Sequence, residues 1–295
     1  VLNELNVSWN PDVPYAPAAD ALIETMAFPD DKYLQVKLVA AKGVGRILRD
    51  APANALNVLK RFELSDKLAS EIKRLQTNRG QPGGTGAIGH QWAMWHLVDA
   101  LGQCDRVYNQ GRQPLYVDTL LEVFYDRGED WLARAHAARS LTRLPYEGTT
   151  DLSVLNYEIA RFTHEMAEQY NANVDSRRPW PMWRRVAFQI YFSYECETQA
   201  ERNRNIGLMY QVNRGGLSAA KPQIEGARGV VLPILNVLTA DPNALTPPKI
   251  PAGLIQSLAE WLNANPPKPG AKLVPESKVV PPPARAQTKP QNPPA

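Results

Sequence analysis

The chain has 295 residues and a mass of 32.8 kDa, with 44% hydrophobic and 21% charged residues, so it holds enough apolar material for a large core and is not disordered as a whole. Two cysteines exclude a disulfide-rich scaffold and a four-cysteine zinc site, and no apolar run reaches the roughly 18 residues of a membrane-spanning helix. The net charge of +3 is unevenly spread: Lys268, Lys272, Lys278, Arg285 and Lys289 face a single acid, Glu276, in the last thirty residues, so the remainder is slightly acidic. A body so close to neutral has no global field to draw it onto nucleic acid or an anionic membrane.

Residues 1–19 read as an extended arm. Asn6-Val7-Ser8 fits a glycosylation sequon, a tripeptide that also arises by chance. A start at Val1 is what leader removal leaves, so an exported location (periplasmic or extracellular) is expected, with a cytoplasmic one as the alternative. Cys104 and Cys196 could pair in an oxidising compartment or stay inert thiols in a reducing one.

Residues 20–265 carry helical periodicity. Val36, Val39, Ala40, Val44 and Ile47 fall on one stripe, and Leu152, Leu155, Ile159, Phe162, Met166 and Tyr170 make a second. Alternating strand patterns are scarce, and the Val230-Val231 run leads into Pro233, which argues against a central strand. Prolines and glycines punctuate the helical segments, among them Pro114, Pro145, Pro179 and Pro222. The expected fold class is all-α.

Self-comparison reveals a repeat. Val36 to Ile47 aligns without a gap on Ala133 to Leu144, with basic residues and an Ala-Ala pair coinciding. Ala100-Leu101-Gly102-Gln103-Cys104 matches the end of the same pattern, and Arg185-Val186-Ala187 matches it more weakly. The small residues at these points let two helices approach closely. The interval from Val44 to Leu101 exceeds that from Leu101 to Leu141 because it holds a glycine-rich insertion at 79–89, read as an inter-helix loop.

The stretch Asp118 to Phe124, the turn Arg127-Gly128-Glu129-Asp130 and the segment Trp131 to Leu144 together resemble one HEAT-like repeat of the phycobilisome-lyase type, and Asp30-Asp31 before Tyr33 occupies a similar turn. The resemblance covers about two repeats. It implies a right-handed α-solenoid of helix pairs, with the acidic turn capping the second helix of the pair. Such repeats serve many functions, so the resemblance speaks to fold more than activity.

Candidate chemistry is sparse. Gly84-Thr85-Gly86-Ala87-Ile88-Gly89 is a literal G-x-G-x-x-G, but a dinucleotide site needs a strand before it, and Leu68, Ile72 and Leu75 mark a helix there. Ile88, Trp92 and Trp95 are expected to anchor the helix that follows. His90 and His96 do not share a helix face, His136 suits packing, and His164-Glu165 is a lone pair on a polar side. Cys196 sits between Glu195 and Glu197, carboxylates that disfavour a reactive thiolate. These patterns give no catalytic residue, no metal ligand and no cofactor, and the expected protein is not an enzyme.

The densest local signal is Arg177-Arg178-Pro179-Trp180-Pro181-Met182-Trp183-Arg184-Arg185. Arginine and tryptophan are enriched at binding hot spots, so Arg177, Arg178, Trp180, Trp183, Arg184 and Arg185 are candidate partner-binding residues, with a structural junction as the competing reading. Residues 266–295 hold ten prolines and read as an extended basic tail, either a linker or a docking strand, with few side chains able to join a core. The function expected is a non-catalytic interaction or structural subunit whose partner is another protein or a larger assembly, reached in part through the 266–295 tail, with nucleic acid disfavoured. The alternatives are a HEAT-scaffold enzyme, a lyase or nucleic-acid glycosylase, and a polyanion binder acting through 177–185.

Overall fold

The computed structural model describes residues 6–7, 10–14, 17–26, 34–51, 56–79, 86–172, 174–177, 179–240 and 247–282. Ser8 of the sequon, the Asp30-Asp31 turn, residues 80–85 of the glycine-rich stretch, Arg178 and residues 283–295 lie outside them.

Among the described residues the fold is helical apart from a two-stranded antiparallel ribbon, β1 (Asn6–Val7) with β2 (Asn10–Pro14). The first helix, α1 (Pro17–Met26), starts inside the segment expected to be an extended arm. It is followed by α2 (Leu34–Asp50), α3 (Val58–Thr77), α4 (Ala87–Leu101), α5 (Leu115–Tyr125), α6 (Trp131–Leu141) and α7 (Leu152–Asn171). After them come the short α8 (Val174–Arg177), then α9 (Trp180–Tyr194), α10 (Gln199–Asn203), α11 (Leu208–Gln211), α12 (Lys221–Thr239) and α13 (Ala252–Ala264). The Val230-Val231-Pro233 run lies inside α12, where the proline leaves the Gly229 carbonyl without its helical donor.

The helices pack as two rows. In one, α2, α4, α6, α9 and α12 each touch the next; the other holds α1, α3 and α5, then α7 and α13. Cross-row contacts join α1 to α2, α3 to α4, α5 to α6, α7 to α9 and α13 to α12. Direct packing between α5 and α7 is sparse by comparison.

Local chemistry sets the helix starts. The Asp130 carboxylate accepts from the N–H groups of Leu132 at 2.8 Å and Ala133 at 3.2 Å, capping α6 as the acidic turn was expected to do. Trp95 Nε1 donates to the other Asp130 oxygen at 3.0 Å, tying α4 to that cap. Beside it, His90 Nε2 lies 3.0 Å from both oxygens of the buried Glu129, which also accepts from Arg79 at 3.0 Å. In α7 the entire expected stripe, Leu152 to Tyr170, is buried.

The α2 stripe divides. Ala40, Val44 and Ile47 are buried with Ala41 and Leu48, but Val36 and Val39 are 49% and 56% exposed. Ile88 and Trp92 of α4, expected as anchors, are likewise 73% and 48% exposed; only Trp95 is held against the core. Periodicity locates an apolar face, but α2 has covered only the half that meets its neighbours.

The repeated small residues fall at helix crossings, in the same register each time. A Cβ at Gly45 would lie 2.9 Å from the Ala100 Cα, and one at Gly102 would lie 2.8 Å from the Ser140 Cα. Gly45 and Gly102 are equivalent in the aligned repeats, as are Ala100 and Ser140. One turn earlier the pairing recurs: Lys42 acts electrostatically on His96, and Asp99 lies 4.0 Å from His136 Nδ1. Lys42 and Asp99 share one alignment column, His96 and His136 another. Both crossings therefore run in parallel with one offset.

The last described segment is part of the body. Leu273, Val274 and Ser277 are 2%, 0% and 0% exposed, and the Asp151 N–H donates to the Leu273 carbonyl at 2.9 Å. The expectation that the tail contributes little to a core is corrected for these residues. The space between α5 and α7 accepts aliphatic side chains that proline-rich composition did not advertise.

Candidate functional site

Of the Arg-Trp segment, Arg177 ends α8, Pro179 precedes α9, and Trp180 to Arg185 form the first turns of that helix. Trp180 and Trp183 are buried at 8% and 3% exposure, Trp183 sitting edge-on to Tyr170 at 5.9 Å and against Trp131 at 5.6 Å. Both indoles are thus spent on the core, which corrects their reading as partner-facing anchors. Arg184 is half-buried, its guanidinium 5.4 Å over the Trp180 ring and 6.0 Å from the Phe188 ring. Arg177 is half-buried and Arg185 is exposed. Among the described residues of the expected surface, Arg185 is the one exposed to solvent.

A second cluster, absent from the expectations, links α4, α6 and α9 and reaches α10. Arg143 donates to Asp99 at 2.7 Å and to Glu201 at 3.2 Å, and Arg139 pairs with Glu197 and lies 3.6 Å from Glu201. The Arg139 guanidinium also donates to Gln189 at 3.1 Å and stacks 4.8 Å over Phe192. Burial opposes ionisation of Asp99, but Arg143, His136 and Arg139 outweigh it and hold its carboxyl below the usual range. Burial also pushes His136 down to about 4, so the ring is neutral at pH 7. Each carboxylate here already has a guanidinium partner. The arrangement cross-ties α4, α6 and α10.

Four of the exposed apolar residues lie on the first two helices of the same row. Val36 and Val39 lie on α2, and Ile88 and Trp92 on the neighbouring α4. Trp92 packs at 5.6 Å from Trp95 and 5.8 Å from His96, and Lys42 beside them is exposed. Exposed apolar side chains are thus concentrated on two adjacent helices.

A small cleft opens between the ends of α5 and α7. Its walls include Tyr125, Arg127, Arg134, Glu158, Arg161 and Glu165, and Pro282 closes one side. Glu158 pairs with Arg161, yet burial pushes its carboxyl up to about 7, with Glu165 adding to the rise. The sign of the consequence follows from linkage. Because the folded value exceeds the unfolded one, stability is full below about pH 4.5 and falls as pH rises through 7, by roughly 3 kcal/mol at about 1.4 kcal/mol per unit. Glu158→Gln removes that fall. Denaturant unfolding of both chains between pH 4.5 and 8 should show the variant's stability gaining on the wild type as pH rises; parallel curves would refute the assignment.

Among the described residues, no three His, Cys, Asp or Glu side chains converge as a metal site requires, and no helix is long and apolar enough to cross a membrane. Cys104 and Cys196 are both free, and burial raises the Cys104 thiol to about 12. Compared with known proteins, the chain matches no family model, no curated protein and no solved structure.

Proposed function

We propose that the chain is a non-catalytic interaction protein: a right-handed α-solenoid of HEAT-like helix pairs of the phycobilisome-lyase type that presents its α2–α4 face to a protein partner. The solenoid reading is supported by the recurrence of one crossing geometry, Gly45 on Ala100 and Gly102 on Ser140, with the same columns paired a turn earlier. Stacking of this kind buries each helix pair on its neighbours and leaves a long face free for recognition.

The single observation that carries the interaction reading is the exposure of Val36, Val39, Ile88 and Trp92 on adjacent helices, each about half exposed or more. Tryptophan flanked by aliphatics and a cation is the composition of a binding hot spot. Native-source co-purification of the full chain with mass spectrometry tests it. A defined partner should be retained by the wild type and lost from the Val39→Glu/Trp92→Glu variant at unchanged folding. Equal recovery of the same proteins with both chains would refute it.

A further inference from the structure

The segment from Lys272 to Pro282 fills the gap between α5 and α7 with contacts of a kind seen in peptide recognition. Leu273 and Val274 are buried side by side, and the Leu273 carbonyl accepts from the Asp151 N–H at 2.9 Å. Further along, the Tyr108 hydroxyl donates to Glu276 at 2.9 Å. The Ser277 hydroxyl donates to one oxygen of Asp118 at 2.5 Å and the Lys278 N–H to the other at 3.2 Å. At the far end Arg161 donates to the Pro282 carbonyl at 2.7 Å. Both termini of the segment are thus held through backbone carbonyls, and its middle is read by one carboxylate.

Asp118 is the informative residue. The residue is 8% exposed and, among the described residues, its carboxylate pairs with no cation; its side-chain hydrogen bonds are those from Ser277 and Lys278. A carboxylate buried in this way needs donors, and here the segment supplies them. Because α5 and α7 pack so sparsely on each other, the segment stands in a slot between helices instead of lying over a finished surface.

We propose that the α5–α7 slot is a receptor for an extended peptide, and that the chain's own segment is a replaceable occupant. The partner it fits is an extended stretch of another polypeptide. That stretch carries two adjacent aliphatic residues, a hydroxyl residue three positions after the second, and a free backbone N–H immediately beyond. This inference rests on the slot's own contacts and not on the solenoid reading or the α2–α4 face.

The tether sets the numbers. Eight residues, Asn265 to Lys272, join the end of α13 to Leu273, and a tether that short gives an effective concentration on the order of 1 mM. To stay docked nine-tenths of the time, the segment must have an intrinsic Kd of about 0.1 mM or lower, since occupancy follows the ratio of effective concentration to Kd. A free peptide of the same sequence therefore competes poorly with the wild-type chain and binds well once the resident segment is weakened.

The test uses full-length Ser277→Glu, whose new charge faces Asp118, and a fluorescein-labelled peptide spanning residues 271–282. The expected result is a Kd at or below about 0.1 mM for the variant, binding at least tenfold weaker to the wild-type chain, and loss of binding in Ser277→Glu/Asp118→Asn. Val274→Ser, which removes an apolar anchor without adding charge, should give the same order. Equal binding to all chains, or no binding up to 1 mM to either Ser277→Glu or Val274→Ser while it remains folded, overturns the proposal. Failure of both Ser277→Glu and Val274→Ser to fold also overturns it, because the segment is then a fixed part of the core.

Discussion

Gly102→Val destabilises the folded chain by about 3 kcal/mol or more, at the upper end of overpacking effects, because the space for a side chain is already taken. An added Cβ meets Ser140 Oγ at 2.5 Å, its Cβ at 2.6 Å and its Cα at 2.8 Å, so backbone as well as side chain must move. The strain reaches further than one crossing. The Ser140 hydroxyl donates to the Val98 carbonyl at 3.0 Å, and the neighbouring Arg143–Asp99 pair spans the same two helices. Pushing α4 from α6 stretches those bonds together. Denaturant unfolding checks the expectation, and a midpoint unchanged from wild type would mean that the two helices do not cross there.

Trp183→Ala costs roughly 3–5 kcal/mol, the range for truncating a buried aromatic residue. Its indole is 3% exposed and wedged between Tyr170 of α7 and Trp131 of α6, so truncation leaves a cavity where three helices meet. Arg185→Ala, two residues on and exposed, should change stability by no more than about 0.5 kcal/mol. Thermal or denaturant unfolding of the two variants separates the structural reading of the Arg-Trp segment from the recognition reading. A Trp183→Ala chain as stable as wild type would return the indole to the surface.

The residues that could be read from sequence are those whose role is local or recurs at fixed spacing. The α7 stripe is buried as its periodicity indicates, and Asp130 caps α6 because a carboxylate before a helical run has exposed N–H groups to accept from. The repeat columns at Gly45, Gly102 and Ser140 carried the crossings because only small residues permit such close approach.

Other features depend on tertiary placement that no local pattern encodes. Val36 and Val39 share a period with Ala40 and Val44, and nothing in that period says which part of an apolar face a neighbour will cover. Trp180 and Trp183 have the composition of a hot spot, which is also the composition of a tightly packed helix junction. The ionic cross-ties of Arg139 and Arg143 join residues more than forty positions apart, so their partners become visible only once α4, α6 and α10 are adjacent. The aligned repeats did hold a usable signal: Lys42, Asp99 and Arg139 occupy one column, and charge in that column faces the next helix. Leu273 and Val274 were obscured by the prolines around them, although proline excludes a helix without excluding burial in an extended conformation.

The central claim is that one crossing geometry is used twice, and a pair of double-mutant cycles measures it most directly. One combines Gly45→Ala with Ala100→Gly, the other Gly102→Ala with Ser140→Gly, each followed by denaturant unfolding of the full chain. The account predicts that each glycine substitution alone is destabilising, that shortening the facing residue recovers part of the loss, and that both cycles give a coupling of at least about 1 kcal/mol. Additive effects within about 0.3–0.5 kcal/mol in either cycle would contradict it, since the paired positions would then not touch.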